Sequence, residues 1–183
     1  ALNVMDSAYS SITIKRIVKT WWPLAASWLL MGLEGPALSA IMARMANPEI
    51  NLAAYGGVVY PIALVIESPV IMLLAASTAF SKDWNSYQRL RQYMMISGAV
   101  LTGLHALLVF TPAYYWFAGK VIGVPEEIVD PARVGLMIML PWTWAIGYRR
   151  FQQGMLIRSG YSNAVGIGTV IRLLADLMVL AIG

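Results

Sequence analysis

The chain has 183 residues, of which 59% are hydrophobic and 12% charged, whereas soluble domains carry about 25% charged residues. Thirteen Lys and Arg against nine Asp and Glu give a net charge of +4 without a basic run, so nothing indicates nucleic-acid binding. The absence of cysteine and the single His105 exclude a disulfide framework, a cysteine nucleophile and a thiolate or histidine metal cluster. We therefore expect a membrane protein with neither a metal site nor an organic cofactor.

Residues 1–20 predict a cytoplasmic or interfacial segment, because their basic residues follow small polar ones, the reverse of a signal peptide. Residues 21–183 predict an all-α, polytopic transmembrane bundle, since about 20 apolar residues of helix cover the hydrocarbon core of a bilayer. The runs lack the polar and apolar alternation of transmembrane strands. Five spans are predicted, at about 21–45, 52–80, 93–117, 134–157 and 163–183.

Prolines predict irregular helices in three of these spans. The pair Gly35 and Pro36 interrupts the first span, Pro61 and Pro69 bend the second, and Pro141 breaks the fourth. Each break frees backbone carbonyls inside the membrane, and such broken helices are typical of ion sites in transporters.

The positions of Lys and Arg predict the orientation, because cytoplasmic connections carry the excess of basic residues. The N-terminal segment and the four connections hold three, one, three, two and three of them. This alternation places the N-terminus in the cytoplasm and the chain in the inner or plasma membrane of a cell. Five spans without a closing polar segment predict a six-helix lobe truncated before its last helix.

Two carboxylates lie deep in predicted spans, where a charge costs about 2.5–3.5 kcal/mol at the helix centre unless it is paired or hydrated. Glu34 directly precedes the break at Gly35, and Glu67 lies between two prolines. Both are therefore candidate transport or coupling residues, and together they predict a shared polar cavity. The alternatives are a Glu34 buried against a polar group of a neighbouring helix and a Glu67 that caps a local kink through Ser68.

Other ionisable residues in the spans have a structural and a functional interpretation. Arg172 and Asp176 are four residues apart, so they form an ion pair on one helix face, or a gate or substrate-anion contact. His105 is a candidate proton relay, with a simple hydrogen bond across a helix interface as the alternative. For Arg149 and Arg150 we expect side chains that reach toward lipid headgroups.

The stretch from Gly123 to Leu180 contains a Gly-x-Pro loop, a helix with a central proline, a Gly-x-Leu-x-x-x-Gly segment and a helix with a late Asp. It resembles the fourth and fifth helices of one lobe of the multidrug and toxic compound extrusion (MATE) family. TIKRIVKTWWPLA, LAAYGGVVYPI and ESPV, in the front half, are similar to segments of the related progressive ankylosis transporters. The residues that carry the first pattern are Gly123, Pro125, Pro141, Gly154, Leu156, Gly160 and Asp176.

The resemblance implies a secondary active exporter of small organic molecules or ions in which two six-helix lobes work by alternating access. The partner would be a second six-helix lobe, the coupling ion Na⁺ or H⁺, and Glu34 would match the first-helix acid of some members. Two further functions stay open within transport: a flippase for lipid-linked saccharides, and an exporter of organic anions or pyrophosphate. A membrane enzyme would need a compact catalytic cluster, and a scaffold would use Glu34 for stability alone; we expect no enzyme activity.

Overall fold

The structure is a computed structural model that describes residues 13–182. No strand occurs within this part of the chain, which confirms the predicted all-α class. Residues 1–12, which make up most of the predicted N-terminal segment, and Gly183 lie outside it. The elements in chain order are α1 Ile14–Met31, α2 Glu34–Met42, α3 Pro48–Ala54, a π-helical turn Tyr55–Val59, α4 Tyr60–Ile71, α5 Leu73–Phe80, α6 Trp84–Phe110, α7 Ala113–Trp116, a second π-helical turn Phe117–Ile122, α8 Glu126–Ile138, α9 Leu140–Arg158 and α10 Ser162–Ile182.

Three of the prolines predicted to break helices lie in the first turn of a helix. Pro36, Pro61 and Pro141 are among the first three residues of α2, α4 and α9. A proline fits there because first-turn N–H groups have no partner within the helix. The interruptions therefore fall just upstream, at Gly32 and Leu33 for the first span and at Met139 for the fourth. Pro69 differs, since it lies inside α4 shortly before the irregular residue Met72.

Among residues 13–182, four helices are long and apolar enough to cross a membrane when short interruptions are included. They match the first, second, third and fifth predicted spans, and their bounds are Ile17–Met42, Pro48–Phe80, Trp84–Phe110 and Ser162–Leu180. The predicted span 134–157 covers the end of α8 and most of α9, which do not meet this criterion, and it stays a prediction. The sequence GYRRFQQ lies within α9 and lowers its apolar content.

The third of these helices begins at Trp84, earlier than the predicted start at residue 93, because the polar stretch SKDWNSYQRLRQ is largely helical. The Asp83 carboxylate caps the helix by accepting a hydrogen bond of 2.8 Å from the Ser86 backbone N–H. This bond holds the pKa of Asp83 below its usual value. Exposed apolar side chains such as Leu104 and Leu107 continue along the helix to its end at Phe110, as expected for a lipid-facing surface.

The chain divides into two compact units. Within the described residues, the first unit contains 13–37 and 159–182, and the second contains 38–158. In the first unit α1 packs against α10, with Gly166 close to the backbone of Pro23. A Cβ atom at Gly166 would lie 3.5 Å from the Pro23 carbonyl oxygen, so the small residue permits this close approach.

The second unit has two apolar clusters. The first lies where α3 and the Tyr55–Val59 turn meet α8, with Val59 directly facing Gly135. The second lies where α9 crosses α4, α5 and α6, around Val70, Leu73 and Phe151. This crossing brings the polar residues of α9 against α4, where Glu67 is located.

Candidate functional site

An ionic cluster in the first unit joins α10 to the start of α2. The Arg172 guanidinium donates through Nη2 to Glu34 Oε1 and through Nη1 to Asp176 Oδ2, the latter at 3.4 Å. The bond to Asp176 is the i,i+4 pair that the spacing predicts. The contact with Glu34 joins residues 138 positions apart, and no sequence pattern indicated which residue Glu34 would meet. The structure therefore brings together three of the predicted site residues.

This cluster lies well inside the two helices that carry it. Glu34 is eight residues before the end of Ile17–Met42, and Arg172 is eight residues before the end of Ser162–Leu180. At about 1.5 Å per residue, each is roughly 12 Å from that helix end. The side chains are partly shielded, with 23% of Arg172 and 28% of Glu34 exposed. One guanidinium faces two carboxylates, so the cluster has one negative charge in excess when all three groups are ionised.

Glu67 forms a second polar cluster, in the second unit, and is only 4% exposed. The Trp142 indole Nε1 donates a hydrogen bond of 2.8 Å to Glu67 Oε2. Arg149 and Arg150 both act electrostatically on this carboxylate, and the Arg149 Cζ atom lies 6.0 Å from the centre of the Trp142 ring. This cluster therefore contains two guanidinium groups and one carboxylate.

The expected reach of Arg150 toward headgroups is wrong, because the residue is 8% exposed and its Nη1 donates to Gln153 Oε1 at 3.4 Å. The crossing of α9 over α4 and α5 turns this face of α9 inward. The alternative in which Glu67 caps a local kink through Ser68 is not what the contacts show, because Glu67 accepts from Trp142 and the Ser68 hydroxyl donates to the Val65 carbonyl. Sequence reasoning missed Trp142, although a tryptophan directly after the proline of a predicted span was available as a hydrogen-bond donor.

His105 lies in the last third of α6, five residues before its end, and is 1% exposed. Within residues 13–182 neither ring nitrogen makes a hydrogen bond of ordinary geometry. The backbone of Leu136 on α8 lies close to the ring. The Thr102 hydroxyl, three residues earlier on the same helix, likewise has no partner in that part of the chain. The role of His105 as a proton relay stays a prediction.

A third group of polar residues lies around α7 and α8. Arg133 donates through Nε to the Val109 carbonyl at 2.9 Å and through Nη1 to the Tyr115 hydroxyl at 2.8 Å. Tyr115 in turn donates to Asp130 at 3.2 Å. Because Val109 is in the last turn of α6, Arg133 satisfies a carbonyl that the helix leaves open. This group stabilises a helix end and needs no ligand.

Glu34 belongs to one compact unit and Glu67 to the other. The shared cavity predicted from these two acids therefore stays a prediction, and each cluster is described by its own contacts. Among residues 13–182, no group of three or more His, Asp or Glu side chains could hold a metal ion. The described residues thus form an acid-rich cluster in the first unit and an arginine-rich cluster in the second.

No family model, curated protein or solved structure matches the chain. The resemblance to the MATE family and to progressive ankylosis transporters therefore stays a prediction.

Proposed function

We propose that this chain is part of a secondary active membrane exporter of small organic molecules or ions, coupled to H⁺ or Na⁺ and working by alternating access. The observation that carries the proposal is the cluster of Arg172 with Glu34 and Asp176 on two helices long enough to cross a membrane. As the sequence resemblance implies, its partner would be a second six-helix lobe. Its location would be the inner or plasma membrane.

The charge excess supports a cation-binding role for this cluster. A single acid would neutralise Arg172, whereas a second acid leaves a negative charge at a depth where an uncompensated charge is costly. A proton or Na⁺ from water removes that cost. Protonation of one carboxylate would weaken one of the two ion pairs of Arg172 and shift the guanidinium toward the other acid. Since Glu34 is on α2 and Asp176 on α10, this shift would change how the two helices are linked.

The proposal is tested by reconstituting the full-length protein into liposomes and imposing a pH or Na⁺ gradient. The probes are ethidium, an organic cation, and pyrophosphate, an inorganic anion. Loss of one charge-assisted hydrogen bond of about 1.5–3 kcal/mol corresponds to about a tenfold or larger effect, so we expect Glu34→Gln to lower gradient-driven flux by at least that factor.

Glu126→Gln is the matched control, because Glu126 is an exposed acid in the first turn of α8 and belongs to neither cluster. Its flux should equal that of the unmodified protein. Thermal unfolding of both variants is measured in parallel. A Glu34→Gln protein that loses stability but transports normally per folded molecule would contradict the proposal and favour a scaffold.

The arginine-rich cluster favours an organic anion as the exported substrate. The guanidinium groups of Arg149 and Arg150 both act on the Glu67 carboxylate, and a guanidinium in a low-dielectric site binds carboxylate or phosphate groups with paired hydrogen bonds. Under this second candidate function, pyrophosphate efflux falls in Arg150→Gln while ethidium efflux does not. Translocation of a lipid-linked saccharide without flux of either probe would instead support a flippase.

We further propose that the N-terminus and the 82–91 region face the cytoplasm, as the distribution of basic residues indicates. The chain contains no cysteine, so a single Gln88→Cys variant reports on one position only. A membrane-impermeant maleimide added from the cytoplasmic side should label this exposed position. Labelling from the opposite side alone would contradict the orientation.

A further inference from the structure

A short connection in the second unit joins two helices that are long enough to cross a membrane. Only residues 81–83 lie between the end of Pro48–Phe80 and the start of Trp84–Phe110, so the connection has three residues. Three residues cannot extend far from the helix ends that they join. In a membrane this connection therefore lies at one of the two membrane surfaces.

Two basic residues from distant parts of the chain meet at this helix end. Arg158, the last residue of α9, donates through Nη1 to the Thr78 carbonyl at 2.8 Å and to the Ala79 carbonyl at 3.2 Å. These carbonyls belong to the last turn of α5, and Lys82 follows two residues after its end. Both basic side chains are exposed, and within residues 13–182 the Lys82 ammonium makes no hydrogen bond or ion pair.

The one acid in the connection is already engaged. Asp83 accepts hydrogen bonds from the backbone N–H and the hydroxyl of Ser86, and Arg89 interacts with it electrostatically. Lys82 and Arg158 therefore keep their positive charge uncompensated at the surface. These two positive charges favour an anion as the ligand.

A buried hydroxyl at the same place has no partner. Ser81 is 7% exposed, and its Oγ atom makes no hydrogen bond within residues 13–182. Its neighbours on each side differ, because Phe80 is 64% exposed and Trp84 is 67% exposed. An occupant of this site thus meets two cations and two exposed aromatic side chains, the residue types found at membrane–water interfaces.

We propose that Lys82 and Arg158 bind the phosphate group of an anionic phospholipid at this helix end. The phosphate would lie between the ammonium and the free edge of the guanidinium, close to Ser81. The glycerol and upper acyl chains would contact Phe80 and Trp84. A lipid with a net negative charge fits better than a zwitterionic one, because its phosphate charge is not neutralised within its own headgroup. This inference depends on the chain crossing a membrane and not on transport.

The test uses the full chain in a mild detergent and measures lipid retention by native mass spectrometry. The probes are dioleoyl-phosphatidylglycerol and dioleoyl-phosphatidylcholine, which share acyl chains and differ in headgroup charge. We expect preferential retention of phosphatidylglycerol and about a fivefold weaker retention for each charge removed in Lys82→Gln and Arg158→Gln, the factor for one basic residue at an anionic surface.

Lys120→Gln is the control, since it removes one exposed positive charge from another connection. Because Arg158 also binds two carbonyls of α5, Arg158→Lys and Lys82→Gln keep the test valid if Arg158→Gln fails to fold. Equal retention of both lipids, or equal loss in Lys120→Gln and Lys82→Gln, would overturn the proposal. Retention of inorganic phosphate without retention of either lipid would also overturn it, since that result identifies free phosphate as the ligand.

Discussion

Gly154 lies at the closest helix crossing in the second unit, where α9 packs on α5. A Cβ atom added to Gly154 would be 1.8 Å from Ser77 Oγ and 2.5 Å from the Leu74 carbonyl oxygen. The second contact is with backbone, which cannot rotate away, so the helices must separate locally by roughly 1 Å. Overpacking of this kind costs about 1–3 kcal/mol, and we expect Gly154→Ala to lower the free energy of unfolding by that amount.

Gly103→Ala is the matched control because nothing lies within 4 Å of its added Cβ atom in the middle of α6. There the substitution should be neutral or stabilising, since alanine favours helix by about 0.5–1 kcal/mol over glycine. The measurement is reversible unfolding of both variants in detergent micelles. A Gly154→Ala protein within about 0.5 kcal/mol of Gly103→Ala would refute the packing argument. Adding Ser77→Ala should restore only part of the loss, because the Leu74 carbonyl remains.

Two further predictions concern hydrogen bonds to carboxylates. Trp142→Phe leaves buried Glu67 without its indole donor, so we expect a loss of about 1–3 kcal/mol in the free energy of unfolding, and Trp144→Phe should lose less; equal losses would contradict the role of this hydrogen bond. Asp83 has a lowered pKa, so its ionised cap stabilises the fold above the usual pKa of 3.8 and the contribution disappears as the pH falls through the lowered value. In Asp83→Asn the neutral side chain still caps the helix, and unfolding followed from about pH 2 to 6 should lose this part of its pH dependence.

The helical class and the four membrane-length helices could be predicted from the sequence because both depend on local composition. The length of an apolar run is read directly from the sequence and does not depend on which helices pack against it. The exact start and end of each helix were harder to predict from the sequence. The start at Trp84 depends on the Asp83 cap, and the polar residues that follow it form an exposed helical turn that resembles a loop in hydropathy.

The ion pair of Arg172 with Asp176 follows from spacing on one helix, whereas its contact with Glu34 requires α1 and α10 to pack together. The partner of Glu67 could not be predicted for the same reason. Trp142 reaches it only because α9 crosses α4. The crossing of α9 also buries Arg150. Its position near the end of a predicted span had instead suggested a side chain that reaches the lipid headgroups. Contacts between distant segments depend on packing geometry, which cannot be inferred from a single sequence.

The central claim is that the acid-rich cluster borders a water-filled pathway that opens alternately to the two sides of a membrane. Ala37 is one turn beyond Glu34 on the same helix face, and Ser39 is near the opposite face. Since the chain has no cysteine, Ala37→Cys and Ser39→Cys each introduce a single thiol, which reacts only where water allows the thiolate to form.

The decisive measurement is the rate at which a membrane-impermeant methanethiosulfonate modifies each variant in liposomes, with and without a pH or Na⁺ gradient. We predict that Ala37→Cys is modified and that the accessible side changes with the gradient, whereas Ser39→Cys stays unmodified in lipid. An Ala37→Cys thiol that is unreactive from both sides under every gradient would contradict the claim.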